Sequence, residues 1–199
     1  MADLEKTGKN LEGRGFRVHR FASGAEAAEF LVQTLHGTSI GIGGSVTIDT
    51  LGVYDRLCGS NEVFWHWKNH APETRERAGK AKTYLCSANG VSENGEIVNI
   101  DGFGNRVAGT IYGPERVFLV VGRNKIAPDL TGAIDRARNI AAPLNARRLN
   151  RHTPCAVGEP RCHDCRSPEK VCGVMTVFFM PPTSIKEFHV ILVDEDLGY

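Results

Sequence analysis

Val117-Phe118-Leu119-Val120-Val121-Gly122-Arg123-Asn124-Lys125 decides the architecture. Five apolar residues without a polar break mark a strand covered on both faces, because a half-exposed strand alternates instead. Such a strand belongs in the middle of a sheet, and the sheet must carry helices on both sides. Gly122 ends the run and polar Arg123, Asn124 and Lys125 follow it. In an open α/β sheet the loops beyond the carboxyl ends of the strands are where ligands sit, which makes Asn124 and Lys125 candidate ligand contacts.

The flanking sequence fits that frame. Upstream, Ser39-Ile40-Gly41-Ile42 is a short extended segment that runs into Gly43-Gly44-Ser45. From Val46 to Cys58 a helical spacing places Ile48, Leu51, Tyr54 and Leu57 on one side. A weak polar helix is expected over Ala2 to Gly13 and a half-buried strand over Phe16 to Phe21. Ser23 with Glu26 forms a capping box before a helix through Leu35. Pro72 opens a charged helix ending near Ala81, and Tyr84-Leu85-Cys86 is extended again. Glu93-Asn94-Gly95-Glu96 predicts a tight hairpin pairing 84–92 with 96–101, with positive φ at both central residues. Downstream, Leu130, Ile134, Ala137, Ala141 and Leu144 trace an amphipathic helix that Pro143 kinks or ends. Val174 to Met180 and Phe188 to Val193 read as two closing β segments. The 199 residues suit a single α/β domain spanning 1–199.

Composition excludes several classes of function. Twenty-four Lys plus Arg against 23 Asp plus Glu give a net charge of +1, so no global field favours nucleic acid or an anionic membrane surface. Charges interrupt the 41% apolar content everywhere, and no stretch approaches the ~20 residues that span a bilayer. The polar start MADLEKTGKNLEGRG lacks an apolar signal core, which leads us to expect a cytoplasmic protein with reduced thiols.

Six cysteines then need a reason other than disulfides. Four fall in one loop, 150–173, as Cys155-x6-Cys162-x2-Cys165-x6-Cys172. A Cys-x2-Cys turn lets two thiolates converge on one centre, and a flanking cysteine on each side completes four soft ligands. Structural zinc usually takes two paired turns; one central pair with two outer ligands suits a [4Fe–4S] cluster better, with zinc as the alternative. A metal that merely pins the loop is a further reading. His152 and His163 are read as bystanders. Cys58 and Cys86 lie in a predicted helix and strand and are expected to be small buried hydrophobes.

Two other segments carry chemistry. Gly41-x-Gly43-Gly44-Ser45-x-Thr47 follows a strand and opens a helix, so Gly43, Gly44, Ser45 and Thr47 are candidate anion contacts. Position 46 is valine and the phosphate-loop lysine is missing, which disfavours the familiar nicotinamide and ATP enzymes. The glycines equally suit close helix-sheet packing, with Ser45 as an N-cap. In Asn99 to Arg106, Asp101, Asn105 and Arg106 cluster at one sheet edge; Arg106 is either a two-pronged anion clamp or a salt-bridge partner of Asp101. Phe64-Trp65-His66-Trp67-Lys68-Asn69-His70 is read as a packed loop or subunit contact rather than a lid.

These motifs together resemble the lactate-utilisation (LUD) domain family. The resemblance rests on Ile42-Gly43-Gly44-Ser45-Val46-Thr47, on the run from Ser87-Ala88-Asn89-Gly90 through Asn99-Ile100-Asp101-Gly102, on Gly104-Asn105-Arg106-Val107-Ala108, and on Val121-Gly122-Arg123-Asn124-Lys125-Ile126. It implies a three-layer, Rossmann-like sheet similar to the ribose-phosphate isomerase and CoA-transferase superfold, with both glycine motifs at one end. It also implies a link to organic-acid oxidation beside iron–sulfur subunits. The four-cysteine loop sets this chain apart as a cysteine-bearing branch. We therefore expect a metal-binding protein of redox metabolism whose crevice takes a small carboxylate or phosphorylated anion. A non-redox isomerase or acyl transferase with structural zinc is the alternative, as is an accessory subunit of an iron–sulfur oxidoreductase. A second copy of the chain is a further candidate partner.

Overall fold

The structure is a computed structural model that describes residues 3–199; Ala2, placed in the first helix above, lies outside the described residues. In chain order the helices and strands are α1 (Leu4–Gly13), β1 (Arg17–Phe21), α2 (Gly24–Thr34), β2 (Ser39–Ile42), α3 (Val46–Thr50), α4 (Tyr54–Cys58), β3 (Glu62–Trp65), α5 (Thr74–Gly79), β4 (Thr83–Cys86), β5 (Gly90–Ser92), β6 (Ile97–Asp101), α6 (Asn105–Ile111) and β7 (Arg116–Gly122). There follow β8 (Ile126–Ala127), α7 (Leu130–Arg136), a π-helical turn (Ala137–Ala141), α8 (Ala142–Arg148), α9 (Pro154–Val157), β9 (Val174–Phe178) and β10 (Glu187–Val193).

Six strands form one sheet in the order β1-β10-β7-β4-β2-β3, and every neighbouring pair is parallel. β7 sits inside this sheet, as its apolar run requires. Its side chains alternate between two cores. Phe118 and Val120 join Ile40, Ile42, Leu85 and the buried faces of α2 to α4, whereas Val117, Leu119 and Val121 join Tyr84, Cys86, Phe178 and Phe188 on the other face. Strand period two thus feeds both helix layers from one strand. The three-layer, Rossmann-like α/β expectation holds.

A second sheet, β8-β5-β6-β9, thickens one outer layer and packs Val98, Ile100 and Ala127 against Ala133, Ala137 and Ala142. No sequence pattern had separated it from the main sheet, and the hairpin expectation is corrected by it. β4 stays in the parallel sheet, and only β5 pairs with β6, with Val91 opposite Ile97. Asn94 does not take positive φ; Gly95 alone does, at 91°. Gly95 N–H donates to the Ser92 carbonyl and Ser92 N–H to the Glu96 carbonyl, the pattern of a three-residue loop with a left-handed glycine.

Three other expectations change. The helix over 46–58 is split into α3 and α4, because Gly52 adopts φ 63°, which a continuous helix does not allow. The charged helix starts at Thr74 rather than at Pro72. Pro143 neither kinks the last long helix to a stop nor ends it: the Ala142 N–H reaches back five residues to Ala137, and helix continues to Arg148. A π turn just before proline absorbs the missing hydrogen bond. Cys58 is exposed at the end of α4, contrary to the buried reading, whereas Cys86 is fully buried and its thiol is pushed up to about 12 by that burial.

Candidate anion-binding site

Because all strands of the main sheet are parallel, the residues after Ile42, Trp65, Cys86, Gly122 and Val193 share one edge. Gly44, Ser45, Val46 and Thr47 follow β2; Trp67 follows β3; Ser87, Ala88 and Asn89 follow β4; Lys125 follows β7; Tyr199 lies beyond β10. Together with Arg106 and Asn145 they line a small chamber of about 30 Å³. The two glycine-rich turns and the lysine loop therefore do form one crevice.

Lys125 is the floor of this chamber. It is 3% exposed, and its Nζ lies 2.7 Å from Thr47 Oγ1 and 2.8 Å from Ser87 Oγ. The Thr47 hydroxyl donates onward to the Leu197 carbonyl at 3.2 Å, so Thr47 accepts from the lysine. Neither partner carries a negative charge. Burial pushes Lys125 well below the ordinary lysine range, and the Arg136 and Arg106 guanidinium groups push it further. Arg136, itself largely buried and lowered to about 10 by that burial, donates to the carbonyls of Asn124 and Asn89. The loops that frame the chamber are held in place by it.

Arg106 is placed by an N-terminal cap. Asp101 Oδ2 accepts from the N–H groups of Arg106 and Val107, at 2.9 and 3.3 Å, and Oδ1 accepts from Phe103. Asp101 thus serves the backbone of α6 rather than the guanidinium. Arg106 Nη2 donates to the Ile100 carbonyl at 3.0 Å, while its buried Nε has no hydrogen-bond partner. A buried donor left unpaired costs roughly 1–3 kcal/mol.

The remaining candidates divide by role. Ser45 caps α3 through Ile48 N–H and also lines the chamber. Gly43 is a packing residue: an added Cβ would stand 3.0 Å from Tyr84 Oη and 3.3 Å from Cys86 Cβ. At Gly44, the Trp67 indole covers the glycine instead. The Asn105 carbonyl accepts from Tyr84 Oη, and the residue lines the outer cleft. Asn124 holds the C-terminal segment, donating to the Gly198 carbonyl and accepting from Leu197 N–H, so both ends of its amide are engaged away from the chamber. Sequence reasoning passed over Ser87, Trp67, Asn145 and Tyr199. Ser87 was legible as the first residue after a buried strand; the other three arrive from distant segments.

The chamber opens into a cleft of about 730 Å³ that shares Gly44, Trp67, Arg106 and Asn145 with it. Six basic side chains, Lys68, Arg75, Arg106, Arg148, Arg151 and Lys170, line the cleft against three acidic ones, Asp49, Asp101 and Glu169. A chain of net charge +1 therefore concentrates cations at one mouth, where field lines focus. Arg148 lies over the Trp67 ring at 4.5 Å and bonds Tyr199 Oη at 2.7 Å. Burial lowers His66 to about 4, leaving it neutral at pH 7. Trp65, by contrast, is a core residue and not a surface contact.

The cysteine loop forms one wall of this cleft through Pro168, Glu169, Lys170 and Val171. Gly102 allows the approach, since a Cβ there would sit 2.7 Å from Val171 Cα. All four loop cysteines are half-buried free thiols. Cys172 is raised chiefly by burial, and Cys162, Cys155 and Cys165 add to the rise. Arg138 donates to Cys162 Sγ at 3.3 Å. Among the described residues, no three His, Cys, Asp or Glu side chains stand close enough to hold a metal ion. The donor set of four soft thiols with a cation alongside fits a thiolate-bound centre chemically.

The family model for the LUD domain matches residues 4–193. The chain belongs to the LUD domain family. Among solved structures, this LUD domain resembles a crystal structure of a DUF162 family protein from Deinococcus radiodurans, with a TM-score of 0.56 and 14% identity over 96% of this chain and 95% of that one. At that identity the likeness extends to the fold alone. No curated protein matches this LUD-domain chain. Among the described residues, no helix of it is long and apolar enough to cross a membrane.

Proposed function

We propose that this LUD-domain protein binds a small carboxylate or phosphorylated metabolite in the chamber floored by Lys125, and acts in the redox metabolism of organic acids. The observation that carries the reading is a buried lysine held by two neutral hydroxyls, beside an arginine that lines the same chamber and whose buried Nε lacks a partner. Cationic and donor capacity converge there with no carboxylate to absorb it. The basic cleft gathers anions, and the chamber selects one end of them.

Cys155, Cys162, Cys165 and Cys172 are proposed to hold a metal centre in the adjoining wall, a [4Fe–4S] cluster in preference to zinc. The cluster would supply one-electron transfer next to the cleft; zinc would supply only a cross-link. Arg138 and Lys170, which donates to the Cys165 carbonyl, stand where they offset the charge of four thiolates.

Calorimetric titration of lactate, pyruvate and phosphate into the wild type and Arg106→Ala tests the chamber. The variant is expected to lose about tenfold or more in affinity, the size of a charge-assisted hydrogen bond. Unchanged binding removes Arg106 from the site. Purification without oxygen, followed by a visible spectrum and iron, sulfide and zinc analysis, tests the metal. A brown preparation with iron and sulfide supports the redox reading. A colourless, zinc-only preparation replaces it with a non-redox isomerase or acyl transferase.

A further inference from the structure

Lys125 has more chemistry than anion binding requires. A cation meant only to hold an anion would sit at the mouth of the cleft, where Arg148 and Arg151 already do so. Lys125 instead lines the chamber at 3% exposure, its Nζ donating to two hydroxyls and faced by no carboxylate among the described residues. Desolvation and two neighbouring guanidiniums disfavour its ammonium form, the setting in which an amine keeps its lone pair. In that neutral form its two N–H groups donate to Thr47 Oγ1 and Ser87 Oγ, whose own hydrogens go to the Leu197 and Ala88 carbonyls, and the nitrogen keeps its lone pair. A chamber of about 30 Å³ takes one or two heavy atoms, such as a carbonyl, and leaves the rest of the ligand at Arg106.

We propose that Lys125 is a nucleophile that forms a reversible imine with a 2-oxo acid whose carboxylate is held by Arg106. This deepens the anion-site reading above and rests on it. The Nζ lone pair attacks the carbonyl carbon while the carbonyl oxygen takes a proton from Ser87 Oγ, which is replenished from the nitrogen. The resulting carbinolamine loses its hydroxyl together with the remaining N–H proton as water, and a C=N bond forms. One water is released, and no electron enters or leaves. The imine withdraws electrons from the adjacent carbon, so hydrogens there become exchangeable with solvent.

The test is hydride trapping with pyruvate as the probe. The full-length protein is incubated with pyruvate and borohydride, and adducts are located by peptide mass mapping, with and without excess oxalate, which has no ketone to attack. The inference expects a reduced adduct on the peptide carrying Lys125, suppressed by oxalate, and absent in Lys125→Arg and Lys125→Met. Wild-type mapping alone decides the matter should either variant fail to fold. Adducts spread evenly over surface lysines overturn the inference. Calorimetric binding of pyruvate with no adduct overturns it too and leaves the anion site standing, whereas neither binding nor adduct removes both.

Discussion

Lys125, Thr47 and Ser87 form a contact that is poor for stability and useful for chemistry. A buried ammonium facing only hydroxyls forfeits hydration without an ion pair in return, so burial disfavours its charged form. Replacing it with methionine, of similar length and without charge, is expected to raise the unfolding free energy by about 1 kcal/mol in urea titrations, as substitutions that relieve strained sites commonly do. The same substitution is expected to abolish binding of phosphate and pyruvate. Loss of binding together with loss of stability would instead mark Lys125 as a structural residue. Of this triad Thr47 and Lys125 were read as candidates from the sequence, each just after a predicted strand in a polar turn; Ser87 holds the same kind of position after β4 and was passed over. Asp101 was legible as a participant but not in its role. Its carboxylate turned from Arg106 to three backbone N–H groups, since a helix start leaves donors unpaired.

Between elements, β1 and β10 meet through an imidazole pair. His19 Nε2 and His189 Nδ1 are 2.9 Å apart, and His189 stacks on Phe118 with ring centroids 4.2 Å apart. Burial holds His189 at about 4, although Glu187 at 3.4 Å works the other way. The native state therefore binds fewer protons than the unfolded chain between about 4 and about 6.5. Stability contributed by the neutral ring is present in full above that window and declines as pH falls through it, by about 2 kcal/mol. Urea midpoints measured from pH 7 to pH 4 should show this decline, and His189→Gln should flatten it; a decline of equal size in the variant would assign it to other groups. Elements with strong periodicity, such as β7 and α2, were readable because pattern and packing agree. The split at Gly52, the π turn before Pro143 and the second sheet were not: a glycine or a proline inside a helical pattern allows more than one outcome, and short strands carry too little pattern to say which sheet they join.

At the scale of the whole molecule, the carboxyl edge of one parallel sheet, a basic cleft and a thiol-bearing wall are arranged in sequence from inside to outside. The edge could be anticipated from parallel topology alone. Arg148, Asn145 and Tyr199 could not, since neither periodicity nor motif ties the last residues of the chain to a helix some fifty residues earlier. The wall stands largely outside the three apolar cores, with only Cys172 packed against one of them. Cys162→Ser is accordingly expected to leave the global urea midpoint within about 0.5 kcal/mol while speeding proteolytic cleavage between 158 and 171. A large global loss would show that the loop is part of the folding core. The most direct test of the account is a crystal structure grown with oxalate, a small dianion that cannot react with an amine. The account predicts density for one carboxylate within hydrogen-bond reach of Arg106, with the other end directed toward Lys125 Nζ. Oxalate bound elsewhere, with only water in the chamber, would contradict it.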